Sequence, residues 1–80
     1  MAALHLTQLD EPTVASIVLQ AQALKHPTVN SEAMAFAKSR TLHDATRLGN
    51  AIAHLADGVE GRRIVARIDA LLLLNGLSRE

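Results

Sequence analysis

The stretch Leu42-His43-Asp44-Ala45-Thr46-Arg47-Leu48-Gly49-Asn50-Ala51-Ile52-Ala53-His54-Leu55-Ala56-Asp57 decides the fold class by its spacing. Leu42, Ala45, Leu48, Gly49, Ile52, Leu55 and Ala56 recur every three or four positions, and His43, Arg47, Asn50, His54 and Asp57 fill the opposite side. A strand would alternate with period two, so the pattern predicts an amphipathic helix from Leu42 to Asp57. Asp57-Gly58 reads as a turn. Beyond it, Ile64, Val65, Ile68, Leu71 and Leu72 predict a further helix from Val59 to Leu74. Asn75-Gly76 supplies a left-handed stop, which leaves Leu77-Ser78-Arg79-Glu80 as a tail.

Upstream, the alanine-rich segment Ser31 to Lys38 favours a short helix. Thr41 followed by Asp44 resembles a capping box and marks a fresh start, with one continuous helix over 31–57 as the alternative. Thr28-Val29-Asn30-Ser31 reads as a connector ending in a cap at Asn30 or Ser31. The first helix is expected from Asp10 to Lys25, opened by Thr7, Asp10 and Glu11-Pro12 and stopped by His26-Pro27. Its apolar positions are Val14, Ile17, Val18, Ala21 and Leu24, and residues 1–9 form an unpatterned lead expected to be flexible. Short connectors place neighbouring helices antiparallel. The expectation is a single all-α domain over 1–80, a small three- or four-helix bundle with a C-terminal antiparallel helical hairpin.

Composition agrees. Phe36 is the only aromatic residue, so the core must be built from Leu, Ile, Val and Ala, which favour helix over strand. The same scarcity argues against base-stacking surfaces and aromatic-walled pockets for a small-molecule substrate. With no cysteine, disulfides and thiolate metal sites are ruled out, and a reducing cytoplasm is the expected location. The first six residues lack a secretory pattern, and the run Ala70 to Leu74 is far too short to cross a bilayer. Eight basic and eight acidic residues cancel, so no net field draws the chain to nucleic acid or membrane. At 80 residues and 49% hydrophobic content, the chain carries more apolar material than so small a core readily hides. Oligomerisation is the expected remedy.

No set of residues carries recognisable catalysis. Of the four histidines, His43 and His54 share a helix face but lie roughly 16 Å apart along it, and no pair has the i, i+4 spacing of a metal site. His54 and Asp57, at i, i+3, suit a surface pair. The serines Ser16, Ser31, Ser39 and Ser78 fit helical, capping or tail positions, and the glycines are too scattered for a phosphate loop. Catalytic, metal and cofactor sites are therefore expected to be absent. Arg62, Arg63 and Arg67 cluster where positive charge opposes the helix dipole. A salt-bridged surface involving Glu60 and Asp69 is the plain reading, and contact with phosphate or an acidic partner is the functional one. Thr41 to Gly58 partly echoes a helix-turn-helix, but the echo fails at Asn50, where that motif wants an apolar residue. Gly49 with Ala45, Ala53 and Ala56 is better explained as a smooth face for close helix approach.

The tetraleucine Leu71-Leu72-Leu73-Leu74 surrounds its helix with apolar surface. Either that helix is lodged centrally, or Leu73 or Leu74 meets another chain. The leading expectation is a non-enzymatic protein-interaction module, such as an adaptor, inhibitor or chaperone, binding a protein partner or itself. Its apolar contacts would be Leu71, Leu73, Leu74 and Leu77, with Arg62, Arg63 and Arg67 as a polar rim. The alternative is a small dimeric DNA-binding regulator using the arginines, which the neutral charge disfavours.

Overall fold

The computed structural model describes residues 8–79. Four helices follow one another: α1 (Glu11–Gln22), α2 (Pro27–Ser39), α3 (Leu42–Leu55) and α4 (Val59–Leu74). The extended pairing among the described residues is an isolated antiparallel bridge between Gln8 and Thr41. Each helix packs on the next, and α4 returns to α1, which closes a ring of four. Every helix sends side chains inward: Ile17 from α1, Phe36 from α2, Leu42, Leu48 and Ile52 from α3, and Ile68 and Leu72 from α4 are all essentially inaccessible. Among the described residues no polar or charged side chain is buried with them. The core is thus held by aliphatic burial around a single phenylalanine.

Local chemistry sets the helix ends. The Asp10 carboxylate accepts from the Thr13 amide at 3.1 Å and from its hydroxyl at 2.7 Å, which caps α1. Thr7, expected to share that role, lies outside the described residues, as do 1–6 of the expected lead. Gln8 and Leu9 are not a loose lead: the Leu9 amide donates to the Arg40 carbonyl at 2.8 Å and Gln8 Nε2 donates to that of Ser39 at 3.3 Å. α1 ends at Gln22, short of the expected Lys25, which adopts a left-handed φ of 57°.

The connector expected at Thr28 to Ser31 is instead the first turn of α2 and the residue after it. Pro27 starts this helix. Its ring holds φ near the helical value, and the N–H it lacks would have been unsatisfied at a first position anyway. His26, extended as a residue before proline must be, caps α2 through Nδ1, which accepts from the Thr28 amide at 3.2 Å. Asn30 and Ser31 therefore lie within the helix, and Val29 is fully buried.

The break between α2 and α3 is real. Arg40 turns left-handed at φ 55°, and Thr41 Oγ1 accepts from the Asp44 amide at 3.2 Å. At the far end of α4, the Gly76 amide donates to the Leu73 carbonyl and the Leu77 amide to that of Leu72, at 3.0 and 2.9 Å. Gly76 makes this possible with a φ of +73°.

α3 and α4 run antiparallel, with Gly61 of α4 beside Ile52 and Gly49 of α3 beside Ile68. A Cβ placed on Gly49 would lie 3.3 Å from Ile68 Cγ2, so the close approach expected at Gly49 is present. The tighter contact is at Gly61, where a Cβ would fall 1.8 Å from the Ala56 carbonyl oxygen. Only bare backbone lets the three-residue link 56–58 fold over the first turn of α4.

Candidate interaction surface

The tetraleucine is divided by its own helical twist. Leu72 is fully buried, and Leu71 and Leu77, both expected among the partner contacts, are half-buried against the core. Leu73 and Leu74 are exposed at 74% and 84%. α3 covers one flank of α4 and α1 the other, so the third side faces outward. Along that side Ala66, Ala70, Leu73 and Leu74 are all exposed at i, i+4, i+7 and i+8. They form one apolar stripe about two and a half turns long. Val59, seven residues before Ala66, is exposed on the same side of α4 at its first turn, beyond Arg62 and Arg63, whereas Leu19 and Met34 are exposed on α1 and α2.

The three arginines do not form one patch. Arg62 Nε pairs with Asp57 Oδ1 at 2.9 Å, and Arg63 makes a longer contact of 3.9 Å to Glu60 within the helix. Arg67, about 140° round the helix from Arg62, reaches across to α1 and donates to Ser16 Oγ at 2.8 Å and Gln20 Oε1 at 2.7 Å. Only Arg62 and Arg63 flank the start of the outward stripe. The Arg62 hydrogen bond, then its charge, holds the Asp57 carboxyl below its usual range and raises Arg62 in turn. This pairing replaces the His54–Asp57 contact expected from spacing.

Asp69 pairs with none of the three. Its carboxylate receives Arg79, with Nε to Oδ1 at 2.6 Å and Nη2 to Oδ2 at 3.2 Å. Arg79 Nη1 also donates to Asn50 Oδ1 of α3 at 3.1 Å. The segment expected to be a tail therefore folds back along the junction of α3 and α4, with Leu77 against the core. The anchoring role of Arg79 is invisible in the sequence because a few residues beyond a helix stop carry no periodicity to read.

Several other polar residues have structural work. Ser39 donates its hydroxyl to Asp44 and its oxygen accepts from the Thr41 amide, which builds the cap of α3. Arg47 ties α3 to α2 through Glu32 at 3.5 Å. His26 caps α2, and His43 and His54 are exposed. Among the described residues no three His, Asp or Glu side chains gather as metal ligands, and no helix is long and apolar enough to cross a membrane. In comparisons with known proteins, the chain matches no family model, no curated protein and no solved structure.

Proposed function

We propose that the protein is a non-enzymatic, cofactor-free cytoplasmic interaction module that binds a protein partner, or a second copy of itself, through the outward side of α4. One observation carries the reading. Ala66, Ala70, Leu73 and Leu74 align as an exposed stripe at the spacing with which an amphipathic helix presents anchors to a partner. A contiguous apolar strip ending in two exposed leucines gains free energy when another surface removes it from water, by roughly 25 cal/mol per Å² covered. The small alanines let a second helix come close, and Leu73 and Leu74 supply the area.

Self-association also suits the charges. In an antiparallel pair of α4 helices, Arg62 and Arg63 of one copy would sit beside the C-terminal end of the other, where the helix dipole favours cations. Sedimentation equilibrium at micromolar concentration should show a dimer or larger species. Leu73→Glu and Leu74→Glu should each shift it to a monomer while keeping the wild-type helical circular dichroism. A wild-type chain that sediments as a monomer would remove the self-associating form. A partner-binding form would then be tested by asking whether the same two variants lose proteins captured from a native extract.

A further inference from the structure

The fold-back of Arg79 builds a site for a guanidinium group. Three of its nitrogens donate in one plane: Nε and Nη2 grip both oxygens of Asp69, and Nη1 reaches Asn50. The aliphatic stem lies on the bare backbone of Gly49, where a Cβ would come within 2.9 Å of Arg79 Cδ. The arginine side chain is only 22% exposed and Asp69 44%. A lysine ammonium is a point charge that cannot span an acid and an amide in one plane, so this arrangement selects arginine.

Arg79 fills only the middle of the available space. A groove of about 360 Å³ lined by Leu73, Leu77 and Ser78 lies on one side of the ion pair. Another of about 280 Å³, lined by Ala53, Gly61, Val65 and Ala66 together with the paired Asp57 and Arg62, lies on the other. Asp69 and Arg79 border both. The strap itself is short, comes after the glycine stop at Gly76, and is anchored by Leu77 and Arg79, so it can open without unfolding the core. Once it lifts, a half-exposed carboxylate and an amide oxygen are left facing an apolar groove. An occupant without a cation would leave that carboxylate unpaired.

We propose that the Asp69–Asn50–Gly49 site is an arginine-reading peptide site, held closed in cis by Arg79 and open to a partner segment that carries an arginine beside aliphatic side chains. Its grooves share Leu73 and Ala66 with the outward stripe, so the test is run at a concentration where sedimentation shows a single species. The full chain carrying Arg79→Ala is titrated, with amide NMR as readout, with three probes: acetyl-Leu-Ser-Arg-amide and its lysine and citrulline counterparts. The arginine peptide should give saturable shifts at Gly49, Asn50 and Asp69. The lysine peptide should bind at least fivefold more weakly, and the uncharged citrulline peptide should not saturate. Wild-type protein should bind the arginine peptide at least tenfold more weakly than the variant, because the tethered Arg79 competes at high effective concentration. Adding Asp69→Asn to Arg79→Ala should abolish binding. If Arg79→Ala lacks wild-type helicity, the same series is run on Arg79→Lys, whose weaker hold the arginine peptide should displace. Equal response to arginine and lysine peptides, or equal binding by wild type and variant, overturns the proposal.

Discussion

On α4, Leu72 and Leu73 are neighbours in the chain, yet Leu72 is 0% exposed and Leu73 74%. The inner side of the helix also holds Gly61, Ile64 and Ile68, all buried, whereas the outer side holds Ala66, Ala70 and Leu74, all exposed. Residue type does not separate the two sides, because leucine and small residues occur on both. Position relative to α1 and α3 does. The inner side is packed against its own chain and supplies stability, whereas the outer side contributes little to the folded monomer and is available for association.

The contrast can be broken most severely at Gly61. A methyl group there meets the Ala56 carbonyl oxygen at 1.8 Å, and a backbone atom cannot swing away as a side chain would. Gly61→Ala should destabilise the protein by about 4 kcal/mol, well beyond the ~1 kcal/mol that alanine gains in helix propensity. Gly58→Ala is its control. No atom lies within 4 Å of a Cβ placed there, and its φ of −99° is open to alanine. It should change stability by no more than about 0.5 kcal/mol. Urea denaturation of the pair would show whether the 56–58 link is clamped onto α4. Similar midpoints for both variants would mean that it is not.

Leucine truncation compares the two sides directly. Leu72→Ala removes a fully buried side chain and should cost about 3 kcal/mol. Leu73→Ala, at concentrations low enough for monomer, should stay within about 0.5 kcal/mol of wild type. Comparable losses at both positions would mean that the outer side is packed in the folded monomer after all.

The smallest effect concerns acid. The Asp57 carboxyl is lowered by Arg62, and the Asp10 carboxyl by the Thr13 hydroxyl and amide. For a group whose folded value lies below its unfolded one, the stabilisation is fully present above the unfolded value, about 3.9 for aspartate. It is lost as pH falls through the folded value. Both carboxyls are solvent-exposed, so the loss should be modest. Asp57→Asn should flatten part of the fall in urea midpoint seen below the ordinary carboxylate range and leave the neutral-pH region nearly unchanged. A variant with the full wild-type acid slope would show that the Asp57–Arg62 pair is not linked to folding.

Much of the fold is legible in the sequence because it depends on local chemistry. The five residues of α3 that are buried, Leu42, Ala45, Leu48, Gly49 and Ile52, all belong to the stripe read from spacing, and α4 has the bounds expected for it. The break at Thr41 is signalled by a threonine three positions before an aspartate. Pro27 defeats a purely local reading because proline carries two signals. It makes the preceding residue non-helical and also suits the first position of a new helix, and the residues beyond it decide which signal dominates. Here Val29, Ala33 and Phe36 have a core to enter, and that burial extends α2 back to Pro27.

The sequence by itself determined that this chain forms helices with an aliphatic core, where α1, α3 and α4 begin to within a residue, and which leucines compete for burial. These depend on hydrogen-bonding caps and a 3.6-residue period, both confined to a few neighbours along the chain. Tertiary structure decided which leucines won. It also placed Arg67 against Ser16 and Gln20, 51 and 47 residues away, and Arg79 against Asp69 and Asn50, 10 and 29 residues away. Gly61 is the plainest case, since its necessity comes from the path of a carbonyl five residues earlier, after the chain has reversed direction. Contacts of this kind depend on how whole helices are arranged in space, and no local period or cap encodes that arrangement.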